Sequence, residues 1–301
     1  MNMLYQIAQT TRQAHHRLRQ QLENKEDKFI ILSTVLCEER QKHPAMSLKK
    51  LYHRLAPDFI GRDAFIDFCM ENGFETVFSY KKPQLTRSSD QISYPNLLHD
   101  STICDINQVW VSDITYLKVD GKWCYITFIM DLYSRKILGY NAANNLFASA
   151  NVNALEMAFE QRKCFDFNNK LIHHSDRGTQ YRSIVYTQLL SNANVQISMA
   201  YSCFDNSYME SANNILKNEY LIHRDIKSLI DLNYHLQKDV HLYNQERPHG
   251  SLDYMTPNEF ERYIFNMPIS QRTLLPVYTD KSKKNKLLFI MPDSQQLRFP
   301  F

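Results

Sequence analysis

The sequence predicts an α/β protein in which a small all-helical segment precedes a domain built on a mixed, five-stranded sheet flanked by helices. Three observations carry this reading: apolar residues at helical spacing before residue 80, an Asp-Gly turn between two β-rich runs after residue 107, and strand and helix patterns that alternate beyond it. With 301 residues and 44% hydrophobic content the chain can bury a substantial core, and the length suits about two domains.

The elements follow in order. Within residues 1–80, SLKKLYHRL sets Leu48, Leu51 and Leu55 at helical spacing, and GRDAFIDFCMENGF does the same with Phe65, Phe68 and Cys69 before Gly73 closes it. Over 81–104, two prolines among Ser, Asn and Asp break every period, which predicts a linker. The pattern becomes β at QVWVSDITYLKV, turns at Asp120-Gly121 and resumes in KWCYITFIMDLYSRKILGYNAA. Asp-Gly between β-branched and aromatic runs is a hairpin signal, and LYSRK reads as a looser turn, so three antiparallel strands result. A helix over Ala148 to Arg162, the strand KLIHHS, a helix from Gln180 to Asn192, the strand VQISM and a helix from Asn206 complete the order βββαβαβα. Helical crossovers imply parallel pairing in the later strands. This domain is expected over 105–265, with a C-terminal extension over 266–301.

Composition excludes several classes. Cys37, Cys69, Cys104, Cys124, Cys164 and Cys203 form no CxxC pair, against a disulfide framework or a zinc ribbon, and they read as reduced and mostly core. No run of eighteen apolar residues exists, and the first residues lack a signal-peptide pattern, so a cytoplasmic location with no membrane partner is expected. A net charge of +3 neither requires nor excludes a polyanionic partner.

Three carboxylates stand out. Asp113 lies inside a strong strand pattern, where aspartate is depleted. Asp176 follows the short strand in LIHHSDRGTQY, where α/β sheets collect ligands. Glu210 shares a polar helix face with Asn214 and Lys217, opposite Met209, Ala212, Leu216 and Tyr220. Alone, each has an ordinary explanation as an ion-paired strand residue, a turn residue or part of a solvated face. Together they form an all-oxygen donor set without His or Cys, suited to Mg²⁺ or Mn²⁺, and two such ions can serve phosphodiester displacement. Nucleic acid is the substrate this implies. Arg177, Lys217, Arg247 and His249 could reach phosphates, while Asn206, Asn214 and Gln180 could orient backbone or bases. Asp205 reads as a cap, KSKKNK as a solvated charge run, and at least one of His173 and His174 as a packed core histidine.

With WVSDITY, HSDRGTQY, DNSYMESANNILKNE and YNQERPHGSLDYMTPNEF in order, the chain resembles the transposases of the IS3 insertion-sequence family over roughly residues 105 to 262. The resemblance implies a retroviral-integrase, RNase H-like catalytic domain. It assigns Asp113, Asp176 and Glu210 to the metal-binding DDE triad, with two Mg²⁺ or Mn²⁺ ions, and Lys217 to a DNA-contacting position. It implies cleavage and strand transfer of transposon-end DNA by a homo-oligomer in the bacterial cytoplasm, at the nucleoid. The N-terminal helices resemble the small DNA-binding segment, of helix-turn-helix type, that precedes this domain. The upstream helix-turn-helix often fused by frameshifting is missing here, which implies a companion protein or fusion. Spacing between Asp176 and Glu210 is slightly shorter than usual in the family. Two other readings are an RNase H-like nuclease without strand transfer and a non-catalytic DNA-binding protein derived from a transposase.

Overall fold

The computed structural model describes residues 12–76, 94–163, 166–168 and 170–277. The expected linker up to residue 93, Cys164, the KSKKNK run and the rest of the C-terminal extension lie outside the described residues, as does the side chain of Cys203. In chain order the helices are α1 (Arg12–Lys42), α2 (Leu48–Leu55), α3 (Arg62–Glu71), α4 (Ala148–Arg162), α5 (Ile184–Asn192), α6 (Ser207–Ile215), α7 (Leu229–Gln245) and α8 (Pro257–Phe265). The strands are β1 (Ser101–Ile103), β2 (Val109–Val119), β3 (Lys122–Asp131), β4 (Ile137–Ala143), β5 (Ile172–Ser175), β6 (Gln196–Met199) and β7 (Leu275–Val277).

The chain divides into two compact units. One takes the described residues within Met1–Pro83 together with Asn214–Ile226 and Tyr234–Thr256. Its apolar core joins Leu32 and Leu36 of α1, Met46, Leu51 of α2, and Phe65 and Cys69 of α3. The leucine and phenylalanine spacing that predicted α2 and α3 is therefore the spacing that buries them. Gly73 takes φ 75 just past α3, a left-handed closure that glycine adopts without a Cβ penalty.

The second unit is built on a five-stranded sheet of order β4-β3-β2-β5-β6. β2 pairs antiparallel with β3 in unbroken register from Trp110↔Asp131 to Val119↔Lys122. Asp120 (φ 45) and Gly121 (φ 77) both stand in the left-handed region, the two-residue geometry that matches strand twist. β3 pairs antiparallel with β4, while β5 lies parallel to β2 and β6 parallel to β5. Three antiparallel strands followed by two parallel ones make the RNase H-like sheet. A two-stranded sheet of β1 and β7 adds to it and has no sequence signal strong enough to predict it.

One face of the sheet buries Trp110, Ile129 and Leu138 against Ala154, Leu155, Ala158 and Phe159 of α4 and Tyr186 and Leu190 of α5. Contact is closest at Gly139, where an added Cβ would sit 1.9 Å from the Ala154 carbonyl oxygen. α5 begins at Ile184, four residues after the expected Gln180, because Ser183 caps it by accepting from the Tyr186 amide. The looser turn after β3 is organised by Asp131, whose carboxylate accepts from the amides of Tyr133, Ser134 and Asn107. Among the described cysteines Cys37, Cys69, Cys104 and Cys124 are free; Cys69 and Cys124 are buried, whereas Cys37 is exposed.

Candidate active site

Strand register sets the first two acids. Ser112 of β2 pairs with Ser175 of parallel β5, so Asp113 and Asp176 are the next residues on adjacent chains running the same way. Neighbouring strands lie about 4.8 Å apart, which makes the two residues immediate neighbours near the C-terminal end of β5. β2 is the middle strand of five, so Asp113 does not occupy a sheet edge.

The third acid arrives on α6, and two asparagines hold that helix to β2. Asn206 Nδ2 donates to the Ser112 carbonyl at 3.1 Å, and Asn213 Nδ2 donates to Asp113 Oδ2 at 2.7 Å. These residues are two helical turns apart, and Glu210 stands between them on the same side, at i+4 from one and i−3 from the other. The approach to α6 is equally fixed. Asp205 accepts from the amides of Tyr201 and Ser202, as its expected cap role requires. His174 Nε2 donates to the Asp205 carbonyl at 3.0 Å, which leaves Nδ1 to accept from Ser198 Oγ at 2.8 Å. His173 hydrogen-bonds the Tyr186 hydroxyl, so both histidines are buried core residues.

The charges act on one another. Burial pushes the Asp113 carboxyl up to about 8, and the neighbouring carboxylates of Asp176 and Glu210 push it the same way. Hydrogen bonds from the Ile114 amide and from Asn213 oppose that rise. Asp176 is raised by burial, against which the Gly178 amide donates to its Oδ1 at 2.9 Å. Glu210 is solvent-exposed in the first turn of α6. Among the described residues, no three His, Cys, Asp or Glu side chains are drawn into a cluster that could hold an ion. The donor set is nonetheless all oxygen, and its uncompensated negative charge is of the kind a hard divalent cation neutralises.

The remaining expected residues lie as follows. Lys217 is half-buried in the π turn Leu216–Tyr220 that succeeds α6, and burial lowers its amine pKa. Arg177 donates from Nε to the Ala200 carbonyl at 2.8 Å and lies over the Tyr201 ring. Asn214 is exposed and accepts from Asn218 Nδ2. Arg247 is 1% exposed, with Nε and Nη2 both donating to Glu219 at 2.8 Å, and His249 is 6% exposed, edge-on to Tyr243. Asn206 is buried as well, so Asn206, Arg247 and His249 face the protein interior rather than solvent. Two residues escaped the sequence reading: Asn213, which holds Asp113, and Gly178, where a Cβ would come within 3.0 Å of Asp176 Oδ1. The seven-residue spacing of Asn206 and Asn213 around Glu210 is the signal that could have found the former.

An integrase core domain model matches residues 105–202, and a second integrase core domain model matches residues 192–257. Transposase InsF for insertion sequence IS3A of Escherichia coli K12 is 35% identical over 162 residues, 52% of this chain and 54% of the relative. A putative transposase for insertion sequence element IS986/IS6110 of Mycobacterium tuberculosis is 31% identical over 161 residues, 52% of this chain and 58% of the relative. The chain thus spans about half the length of the curated relatives it matches. Among solved structures, the HTLV-2 integrase catalytic core domain in complex with magnesium overlaps 52% of this chain and 96% of its own at 16% identity and a TM-score of 0.41. Residues 105–257 carry an integrase core, and over about half its length the chain is similar to the transposases of IS3 insertion sequences.

Proposed function

We infer that this protein is a DNA transposase, a polynucleotidyl transferase that cuts the ends of an insertion sequence and joins them to target DNA. The observation that carries the reading is the parallel register of β2 and β5 that sets Asp113 beside Asp176, with Glu210 near enough to act on the Asp113 carboxyl, inside an integrase core. Such repulsion costs stability, and a fold keeps it where function needs charge. Asp113, Asp176 and Glu210 are the residues that would hold two Mg²⁺ or Mn²⁺ ions. Those ions would supply Lewis-acid stabilisation of a phosphodiester displacement. The chain's own groups do the positioning: Asn213 fixes one oxygen of Asp113, the Gly178 amide fixes one of Asp176, and Asn206 anchors the start of α6, the helix that carries Glu210. Lys217, Arg177 and Asn214 are proposed DNA contacts, whereas Arg247 and His249 support the fold through Glu219 and Tyr243. Two transposon ends must be joined to one target, so action as a homo-oligomer in the cytoplasm, with a companion helix-turn-helix protein or fusion for end recognition, belongs to the same proposal.

The test is to incubate the full chain with DNA bearing the ends of its own insertion sequence and a supercoiled plasmid in Mg²⁺. Joined molecules are expected. Nicked or linear products without joined ones would contradict strand transfer and favour a nuclease. No metal-dependent product, with DNA binding retained in EDTA, would favour a binding-only protein.

A further inference from the structure

The turn LYSRK between β3 and β4 is closed from both ends by one residue. Asp131 accepts from the Tyr133 and Ser134 amides, and its own amide donates to the Lys136 carbonyl at 2.9 Å. The closed turn holds Arg135 at φ 62, a left-handed conformation that a long side chain rarely takes. Backbone strain of this kind persists only where the surroundings impose it, and it gathers at functional parts of a protein.

Three cations meet two carboxylates around this turn. Glu261 of α8 accepts from Lys136 Nζ at 3.1 Å and from the two Arg162 Nη atoms at 3.0 and 2.6 Å, while Arg162 also lies 3.5 Å from Asp131. Both acids are thereby occupied by Lys136 and Arg162. Arg135 is the surplus cation: among the described residues no carboxylate pairs with it, although it is only 9% exposed. What it meets is the half-buried ring of Tyr208 in the first turn of α6, with the guanidinium carbon 4.2 Å from the ring centre. A guanidinium stacks on an aromatic face, and exclusion of water strengthens the attraction. Burying a cation without an anion is unfavourable, so the ring contact is the interaction that keeps Arg135 in place.

That contact reaches the helix that carries Glu210. Tyr208 and Glu210 are two residues apart, about 200° around the helix. Asn206 and Asn213 hold α6 to β2 on the side of Glu210, and Arg135 holds it from the flank of Tyr208. Contacts on two sides oppose a roll of the helix about its axis. The outer radius of a helix is about 5 Å, so a roll of about 10° would carry the Glu210 carboxylate roughly 1 Å, a displacement that can cost about a hundredfold in rate.

We propose that Arg135 is a positioning residue for Glu210, its guanidinium stacked on Tyr208 fixing the roll of α6. The proposal rests on the reading of Glu210 as a metal-binding acid of a transposase. It does not require Arg135 to touch DNA.

The experiment follows cleavage of end-containing duplex by the full chain in Mg²⁺ for Arg135→Met, Arg135→Lys, Tyr208→Leu and the Arg135→Met/Tyr208→Leu double variant. Methionine keeps an apolar stem and removes the charge. The expected result is a kcat about a hundredfold lower for Arg135→Met and for Tyr208→Leu, with the half-saturating DNA concentration unchanged. Arg135→Lys is expected to stay within about tenfold of the parent, because an ammonium also sits over the ring, and the double variant to lose no more than the worse single one. Amide hydrogen exchange of residues 207–215, expected to be about tenfold faster in Arg135→Met, reads the same hold without any cleavage. A parent with no metal-dependent product would defeat the transposase reading, and exchange then decides alone: equal exchange in Arg135→Met and parent would overturn the proposal. So would a full cleavage rate in Arg135→Met, losses that multiply in the double variant, or weaker DNA binding at unchanged kcat, the mark of a phosphate contact. Should Arg135→Met fail to fold, Tyr208→Leu and Arg135→Lys make the same comparison.

Discussion

Asp113 stands on the central strand within electrostatic reach of two further carboxylates, so its ionised form opposes folding. Its folded pKa, about 8, lies above the value of an unfolded aspartate, so the carboxylate destabilises the fold at neutral pH. Asp113→Asn keeps an oxygen for Asn213 and removes the charge. In EDTA at pH 7.5 it is expected to melt higher than the parent, by an amount on the order of 1–2 kcal/mol, while strand cleavage falls at least about a hundredfold. Thermal melts and a cleavage assay read both; a lower melting temperature would contradict the account. Gly178→Ala tests positioning at the other acid. Its methyl would stand 2.9 Å from Gln180 Oε1 and 3.0 Å from Asp176 Oδ1, so cleavage should drop with little change in melting temperature. At this scale the sequence was informative about charge and silent about partners. Asp113, Asp176 and Glu210 could be singled out as acids in unlikely places, but Arg247 looked like a phosphate ligand because its true partner, Glu219, lies 28 residues upstream.

At the scale of elements, short-range signals were legible and boundaries set by a single side chain less so. The hairpin was readable because Asp120-Gly121 demands positive φ at both positions, and α4 runs over the expected Ala148–Arg162. α5 starts late because the Ser183 hydroxyl, rather than apolar periodicity, decides its first turn. The pairing of β1 with β7 joins residues more than 170 positions apart and could not be read locally. Gly139 is the tightest packing point between β4 and α4, where a methyl would meet the Ala154 carbonyl at 1.9 Å. Gly139→Ala should therefore cost about 1–3 kcal/mol by forcing strand and helix apart, against a few tenths for the same change at exposed Gly61. Chemical denaturation of the two variants gives the comparison, and equal midpoints would contradict the packing described.

For the whole molecule, buried histidines set how the fold responds to acid. His173 and His43 are buried, and burial holds the first to about 3 and the second to about 4, below an unfolded imidazole near 6.5. The unfolded chain therefore binds protons that the folded chain refuses. Their contribution is fully present above about pH 6.5 and is lost as pH falls towards 4, at up to about 1.4 kcal/mol per pH unit for each histidine. Denaturant melts between pH 7 and pH 4.5 should show this decline, and His173→Gln should flatten it; a flat profile in the parent would contradict buried neutral imidazoles. The grouping of Asn214–Ile226 and Tyr234–Thr256 with the N-terminal helices was not legible from motif order, because it depends on contacts made far along the chain.

The central claim is that Asp113, Asp176 and Glu210 act together on divalent cations. Its most direct test is an electron paramagnetic resonance titration of Mn²⁺ into the full chain bound to end-containing duplex, for the parent and for Asp113→Asn, Asp176→Asn and Glu210→Gln. Bound Mn²⁺ is expected in the parent, with affinity weakened at least about tenfold by each substitution. Unchanged Mn²⁺ affinity and stoichiometry in any one of the three variants would contradict the claim.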